Sequence, residues 1–504
     1  MYLVLCGLGI ALVIWALQLK RRGRSLPYPP TPPGHFLFGN LRDVTAPKQR
    51  YHYDELAKRH GEIFHLSALG EHIVVVNSEE AAYELFTRRS AIYSDRSQNP
   101  MTHFSSIFSA MMPYGERWRA YRRLFHQGLN PHTVASFQPV QSDRLSKYLQ
   151  KLLVTPHDLA AHADRLVGSI VFKVVYGHDT PENITEDKTF LNAVKAIQNL
   201  ANSILPGEWL VNSVPVLQFL PHWFPGCRFH SFARETKVLV NAMVEEPYEQ
   251  AKQRPESVSI YQMLCNARET VGQTFAPQCP EVNLTCLLQT LTVISAFYLI
   301  MRQNPAVQDR AYREIGEVIG QYRLPEFSDR AALPYVEAVY REVMRWMPAV
   351  PYSVPHSTTQ DDVYKGYLIP KGTLATHPTI ATSRSMVNDE SKFPNARKFM
   401  PERFLSPEGK FNGGDINNII AFGFGRRICV GRYLADASVW HLIACVLAAF
   451  RIEPKTKSDE IEKLENLDEA FLHTFMAHSI PYECAITPRT PEIAEVIRKM
   501  NEDG

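Results

Sequence analysis

A cysteine at the joint between a glycine-rich bend and a long apolar helix constrains this chain more than any other feature. Gly423 and Gly425 precede Cys429, and Gly431 leads into a helix predicted over Arg432–Phe450. Glycine lets the backbone approach a bulky group closely. The amide groups and the dipole at a helix N-terminus stabilise a thiolate. The pattern therefore favours a cysteine that acts as an anionic ligand.

Three arginines, Arg426, Arg427 and Arg432, add positive charge around this cysteine. A dinucleotide-binding fingerprint would need a third glycine where Ile428 stands. A redox-active thiol would need a second cysteine close by, and a plain buried cysteine would need neither the glycines nor the arginines. A thiolate ligand of haem iron is the interpretation that fits best.

The N-terminal end of the chain has the pattern of a membrane anchor. An apolar run, Leu3–Leu19, is followed by a basic cluster and then by a proline-rich stretch, Leu26–Gly34. As a helix the run is about 25 Å long, which a thin bilayer tolerates. We expect a transmembrane anchor at residues 1–20 and a basic, proline-rich hinge at 21–34, with the bulk of the chain on the cytosolic side. A buried core helix is the alternative interpretation of the run.

The composition is that of a folded protein that does not bind nucleic acid. The chain has 504 residues, 45% of them hydrophobic, and a formal net charge of +2. Binding to phosphates would need a strong basic excess. Eight scattered cysteines without a C-x-x-C pair argue against a disulfide framework and against a zinc knuckle.

Residues 35–504 are predicted to form one mainly α-helical domain with small β-sheets, because helical spacing of apolar residues dominates there. An aromatic and proline-rich segment, Gly207–Arg228, predicts either a buried irregular loop or a hydrophobic lip over a substrate entrance. The predicted helices are Ser78–Arg89, Glu116–Gly128, Ser142–Val154, Ala233–Arg254, Glu281–Gln303, Ala306–Gly320 and Val336–Met347, and the predicted strands are Ile63–Ser67, His72–Val76 and Thr373–His377.

The spacing around the cysteine matches a known signature. Phe422, Gly425, Arg427, Cys429 and Gly431 stand as F-x-x-G-x-R-x-C-x-G, and in this the chain resembles the cytochrome P450 family. The resemblance implies the mostly α-helical cytochrome P450 fold. It implies Cys429 as the axial ligand of haem iron, with Phe422 and Arg427 among the residues that bind the cofactor. The surroundings of the signature also resemble fungal secondary-metabolism members of the family.

Two further family motifs predict a structural network. Glu342 and Arg345 stand three apart on one predicted helix, as in the family's E-x-x-R motif, and Arg403 belongs to a P-E-R-F element. An isolated pair at this spacing is more often a surface salt bridge that contributes little. The resemblance implies instead that the three side chains join behind the haem.

Three residues are predicted to contact the haem propionates. Trp118 and Arg122 match the family's W-x-x-x-R motif, and His356 stands where a basic residue contacts the other propionate. Alone, the first two fit any amphipathic helix, and a lone histidine is more often structural. A cation or a donor suits these positions because a propionate is an anion in an apolar cavity.

The chain departs from the family on the helix expected at the oxygen side of the haem. Members carry A/G-G-x-D/E-T there, whose acid and alcohol relay protons, but the corresponding stretch here is Thr285–Gln289. Leu288 takes the place of the acid and Gln289 that of the alcohol. Three explanations stay open. Gln289 and Thr290 relay protons with ordered water, or the chemistry needs no such relay or is absent, or Thr270–Leu287 is a wrongly joined coding segment.

The resemblance implies an oxidoreductase: an NADPH-dependent haem monooxygenase that inserts one oxygen atom from O2 into a small, mostly apolar organic substrate. Its electrons would come from NADPH-cytochrome P450 reductase, docked near Arg426, Arg427 and Arg432, at the cytosolic face of the endoplasmic reticulum membrane. The missing acid–alcohol pair keeps open a haem-binding but catalytically silent protein. A membrane-anchored hydrolase is disfavoured because the chain has no G-x-S-x-G elbow.

Overall fold

The computed structural model describes most of the chain beyond its N-terminal region. The expected anchor, the first part of the hinge and most of the suspected coding segment lie outside the described residues. The described residues are 26–46, 49–69, 71–98, 100–101, 110–181, 186–204, 208–253, 259–260, 285–350, 354–372, 374–376, 386–455, 471–472, 478–479 and 483–500.

Helices make up most of the described chain. Several begin at a proline, as at Pro131, Pro305 and Pro334, because the first turn of a helix needs no amide hydrogen bond. The α-helices are α1 (Leu41–Val44), α2 (Gln49–His60), α3 (Glu79–Ala82), α4 (Ser90–Tyr93), α5 (Glu116–Gly128), α6 (Pro131–Ser136), α7 (Gln138–Val154), α8 (Leu159–Tyr176), α9 (Lys188–Ile204), α10 (Leu210–Ser213), α11 (Phe229–Lys252), α12 (Thr285–Gln303), α13 (Pro305–Ile319), α14 (Pro334–Trp346), α15 (Arg432–Ala449) and α16 (Pro491–Lys499).

The core is built around α15, which is apolar on all sides and packs against α7, α12, α13 and α14. Trp440, near its middle, is fully buried. Among the described residues α15 is the one helix long and apolar enough to span a bilayer, but 78% of it is buried inside the protein. It is therefore a core helix, as its position in the bundle requires.

Four small sheets accompany the helices in the described part of the chain. The largest has four strands in the order β1-β2-β6-β3, with β1 and β2 antiparallel and β2 and β6 parallel. Three two-stranded sheets pair β4 with β5, β7 with β10 and β8 with β9. The strands are β1 (Ile63–Ala68), β2 (Glu71–Val76), β3 (His356–Ser357), β4 (Asp362–Tyr364), β5 (Tyr367–Ile369), β6 (Leu374–Thr376), β7 (Phe450–Pro454), β8 (Phe471–Leu472), β9 (His478–Ser479) and β10 (Cys484–Pro488).

The predicted class, mainly helical with small sheets, is confirmed. Each predicted helix and strand is present over its described part, within a few residues of the expected ends. One segment differs in type, because Tyr83–Arg88 forms a π-helix that continues α3. Two long helices, α8 and α9, were not predicted.

The aromatic segment that follows α9 is buried in part, at Val211 and Cys227, and exposed at two of its aromatic side chains. Phe219 is 80% exposed and Trp223 is 71% exposed. The described part of the segment therefore presents an apolar surface, as the hydrophobic-lip interpretation expects.

The proline-rich hinge also differs from a free spacer over its described part. Backbone carbonyls of Pro27 and Pro30 accept hydrogen bonds from Leu368 and His65. Tyr28 stacks on the His65 ring at 4.8 Å. Proline leaves backbone carbonyls free to pair with strand edges, so this part of the hinge lies against the sheets of the body.

Candidate active site

The cysteine loop is a series of tight turns that ends at α15. Gly423 has φ +78° and Gly425 has φ +59°, which lie in the left-handed region that favours glycine. A Cβ at Gly425 would lie 1.8 Å from the backbone oxygen of Phe86 in the π-helix. The Cys429 amide then donates to the Phe422 carbonyl at 2.8 Å, which folds the loop back on itself. Gly425 is therefore required by the close approach of two backbone segments, whereas Gly423 is favoured by its positive φ alone.

Cys429 lies half-buried at a pocket between this loop and the central helices. Gln289 and Thr290 of α12 line the same pocket, together with Phe422 and apolar side chains from α12, α15 and the end of α14. The Cys429 carbonyl accepts a hydrogen bond from Arg432 at 3.0 Å. The structure thus brings the predicted ligand and both predicted oxygen-side residues to one cavity.

Arg122 of α5 reaches the cysteine loop from the side. Its guanidinium donates to the Ile428 carbonyl at 2.5 Å, one residue before Cys429. Burial lowers the pKa of Arg122 to about 10, and the charge of the nearby Cys429 sulfur partly offsets this shift. A cation held this close stabilises the thiolate form of the cysteine.

Arg427 and Trp118 contact each other directly. The Arg427 guanidinium lies 4.3 Å from the centroid of the Trp118 ring and donates to the carbonyls of Ser94 and Met112 at 2.9 and 2.7 Å. Burial lowers the pKa of Arg427 to about 9. Its guanidinium is therefore partly enclosed by the Trp118 ring and the two carbonyls. Arg432 is buried, so Arg426 alone of the three stays exposed.

His356 lies on β3 beside the same region. Its Nδ1 is 2.6 Å from the Tyr93 carbonyl, and since a carbonyl only accepts, Nδ1 carries the hydrogen. The ring also packs on Phe86 at 4.8 Å. The histidine is buried and held in one orientation.

Arg96 is a residue of this site that the sequence did not indicate. It is buried and donates to the carbonyls of Ala110, Val354 and Pro355 at 2.8, 3.0 and 2.9 Å, so it lies next to the start of β3. Burial lowers its pKa well below the usual value, and the charge of Arg427 lowers it further. It belongs to no motif identified above, so only the folded chain reveals it.

The donors near Cys429 fit a haem. Arg96 is buried and Arg122 and Arg427 are half-buried, and the hydrogen bonds named for these three cations go to neutral backbone carbonyls. A haem carries two propionates, and each would give such cations an anionic partner. The thiol and the left-handed glycine bend complete a set suited to a flat, anionic group ligated by sulfur.

The predicted network of Glu342 forms a separate, fully buried cluster. Glu342 accepts hydrogen bonds from Arg345 at 2.7 and 2.9 Å and from Arg403 at 3.1 Å. The Met400 amide donates to the same carboxylate at 2.9 Å. Arg345 also donates to the Val387 and Ala396 carbonyls. The pair therefore ties α14 to the Pro401–Phe404 turn and is not a surface salt bridge.

Comparison with known proteins decides the family. Residues 29–481 match the cytochrome P450 family model. The chain belongs to the cytochrome P450 family. It is 34% identical over 497 residues to cytochrome P450 monooxygenase COX2 of Coprinopsis cinerea, covering 95% of this chain and 93% of that protein.

Other relatives cover the chain equally well. It is 33% identical over 510 residues to cytochrome P450 monooxygenase 98 of Postia placenta, with 98% of this chain and 96% of the relative covered. It is 32% identical over 516 residues to cytochrome P450 monooxygenase ppsD of Aspergillus oryzae, with 98% and 95% covered. The predicted resemblance is confirmed, and the P450 family implies a haem-thiolate cofactor.

Proposed function

We propose that this P450 is a haem-thiolate monooxygenase that inserts one oxygen atom from O2 into a small, mostly apolar organic molecule in fungal secondary metabolism. The observation that carries the proposal is the position of Cys429. It lies half-buried at an apolar pocket, one residue from a guanidinium contact and three residues before a helix N-terminus. Each of these features favours a thiolate.

The residues around Cys429 hold the cofactor. Cys429 would ligate the haem iron, and Arg122, Arg427 and His356, joined by Arg96, would hold the propionates. Haem, when bound, supplies the activation of O2 that amino-acid side chains cannot provide. The protein holds the cofactor in one orientation and excludes water from the apolar side of the pocket.

Gln289 and Thr290 take the place of the acid–alcohol pair. Both line the pocket that contains Cys429. A threonine hydroxyl both donates and accepts, and a glutamine amide offers both a donor and an acceptor. With ordered water, Gln289 and Thr290 can therefore hold and pass a proton without an ionised side chain. The side chain of Leu288, which takes the place of the acid, lies outside the described residues.

The electrons come from NADPH through a membrane reductase that docks on the outer face of α5. Arg117, Arg119 and Arg123 are exposed there. Arg119 and Arg426 both lie over the Tyr114 ring, at 5.5 and 5.4 Å, so the helix and the cysteine loop share one basic face. A basic face attracts an acidic partner and sets its orientation.

The protein is anchored in the endoplasmic reticulum membrane by residues 1–20, with the P450 domain at 35–504 on the cytosolic side. The exposed Phe219 and Trp223 support this proposal, because such side chains suit the membrane–water interface. We place the apolar lip beside the bilayer, where an apolar substrate is concentrated.

A pair of cysteine variants tests the proposed ligand. Cys429→Ala should abolish the reduced carbon-monoxide spectrum of a thiolate-ligated haem, whereas Cys445→Ala, at a buried thiol that bonds the Pro325 carbonyl, should leave it intact. An unchanged spectrum for Cys429→Ala refutes the assignment.

Turnover distinguishes the enzyme from the silent alternative. Wild-type protein with haem, reductase and NADPH should form oxygenated product from apolar test substrates. If the protein binds haem but forms no product, and if its NADPH consumption does not depend on substrate, the result favours a catalytically silent P450.

A further inference from the structure

The pocket at Cys429 adjoins a second, internal cavity. Thr290 and Ala435 line both spaces. The inner cavity lies among α7, α8, α12 and α15 and measures about 30 Å³, which is enough for a water molecule. Leu145 and His441 line both this cavity and a cleft of about 630 Å³ at the surface. Three adjoining spaces, divided by these side chains, thus lie between the surface and Cys429.

Buried polar atoms without partners lie along this series. Gln141, 1% exposed, uses its amide hydrogens on Ser438 and Leu434 at 2.7 and 3.3 Å, and its Oε1 has no partner within the described part of the chain. His441 is 5% exposed and donates from Nε2 to the Pro325 carbonyl at 3.0 Å.

That bond fixes the tautomer, so the Nδ1 atom of His441 is an acceptor. Nδ1 also lacks a partner among the described residues. Two buried acceptors on one small cavity are costly to leave unpaired. Water is the donor that fits both.

His441 separates the inner cavity from the surface cleft. The Nε2 atom of His441 donates to the carbonyl of Pro325, a residue that lines the cleft. The Nδ1 atom is therefore the ring nitrogen that can accept a hydrogen bond in the inner cavity. Burial lowers the pKa of His441 to about 4, so the ring is neutral near pH 7. A neutral imidazole whose Nε2 donates to a carbonyl accepts a hydrogen bond at Nδ1, so His441 can hold a water molecule in the inner cavity.

We propose that Gln141, Ser438 and His441 hold water beside Thr290 that passes protons to the Thr290 hydroxyl, and that this side branch replaces the acid missing from α12. The inference rests on the proposed monooxygenase function. In that reaction NADPH yields two electrons and one proton. The O–O bond breaks, one oxygen enters a substrate C–H bond, and the other leaves as water after taking up two protons. The branch supplies those two protons.

Crystallography of the haem-loaded protein tests the water directly. We expect an ordered water within hydrogen-bonding distance of both Gln141 Oε1 and His441 Nδ1. In His441→Phe this water should be lost. A wild-type cavity without such a water overturns the proposal, whatever the activity.

Turnover with two oxygen sources tests the proton path. Hydrogen peroxide already carries the two protons and two electrons that NADPH and solvent otherwise supply. Substrate and peroxide together give hydroxylated product and water, so this reaction needs no proton from the proposed path. His441→Phe should therefore lower NADPH-driven product formation about tenfold or more. The same variant should keep peroxide-driven product formation, and His441→Gln should restore the NADPH-driven rate because its amide can both accept and donate.

Cys445→Ala is the matched control, because Cys445 bonds the same Pro325 carbonyl and lines only the surface cleft. It should leave both rates unchanged. A second variant, Gln141→Leu, removes an acceptor without touching His441 and should reproduce the selective loss. Equal NADPH-driven rates for wild type, His441→Phe and Gln141→Leu overturn the proposal. A wild-type protein that forms no product from either source contradicts the proposed function instead.

Discussion

Replacing Glu342 by glutamine should strongly destabilise the fold. The change keeps the shape of the side chain but removes the charge that two buried guanidinium groups share. The side chains of Arg345 and Arg403 are only 4% and 6% exposed, and that of Glu342 is fully buried. Water therefore cannot replace the lost partner.

The expected loss in the free energy of unfolding follows from the hydrogen bonds that Glu342 accepts. Arg345 donates twice and Arg403 once, and each bond involves charged groups. Breaking a buried ion pair by removing one partner costs about 3–5 kcal/mol. Glu342→Gln retains an acceptor oxygen but turns a donor toward one guanidinium. We therefore expect a loss of about 3–5 kcal/mol in the free energy of unfolding.

Glu402 provides a matched control in the neighbouring turn. Its carboxylate pairs with Arg310 at 2.7 Å, but the side chains are 43% and 46% exposed. Exposed pairs contribute about 0–1 kcal/mol, so Glu402→Gln should change stability by no more than that.

Urea unfolding followed by circular dichroism, with haem content measured in parallel, gives both values. We expect Glu342→Gln to unfold at lower urea and to retain less haem. If the two variants unfold at the same urea concentration, the network does not hold the fold together and the reasoning is wrong.

Two further predictions concern the cysteine loop and the sheet. Gly425→Ala should abolish haem binding, because the new Cβ would meet the Phe86 carbonyl. A Cβ at Gly423 would have no atom within 4 Å, so Gly423→Ala should lower the free energy of unfolding by only about 1–2 kcal/mol. A spectral titration with haem should show that the Gly423→Ala variant still binds it. The pKa of His65 is lowered to about 3, by burial first and by the charge of His72 second. The folded protein then binds fewer protons than the unfolded chain between pH 6.5 and 3, so stability should fall as pH drops through that range, by up to about 1.4 kcal/mol per unit. His65→Gln should show a shallower fall in urea titrations across this range.

Some helices can be predicted from the sequence because one face of the helix is apolar and the other is polar. The helix α5 has the bounds predicted for it, since its buried residues Trp118, Tyr121 and Phe125 recur at helical spacing. The helix α8 was missed because its second half, residues 166–176, is apolar on nearly all sides and buried. Such a run has no polar face to reveal its period.

The site was predictable where chemistry and spacing coincide within a short motif. Cys429, Glu342 and Arg122 each stand in such a motif; Arg122 contacts the carbonyl next to Cys429, and Glu342 pairs with Arg345, while their roles toward haem stay predictions. Arg96 and His441 stand in none. Arg96 acquires its place from three distant backbone carbonyls, and His441 from the Pro325 carbonyl of another segment. Their roles depend on tertiary packing, which a local pattern does not encode.

The charges around Cys429 show why the ten-residue signature is not sufficient for binding the cofactor. Arg96 and Arg432 are buried and Arg122 and Arg427 are half-buried, and Asp95 is a carboxylate whose charge favours the protonated forms of Arg96 and Arg427. Arginine keeps its proton even when buried, so positive charge predominates around the thiol. The two propionates of a haem would offset part of that charge. Because Arg96 and Arg122 come from segments outside the signature, the charge around Cys429 depends on the packing of the whole domain and not on the signature alone.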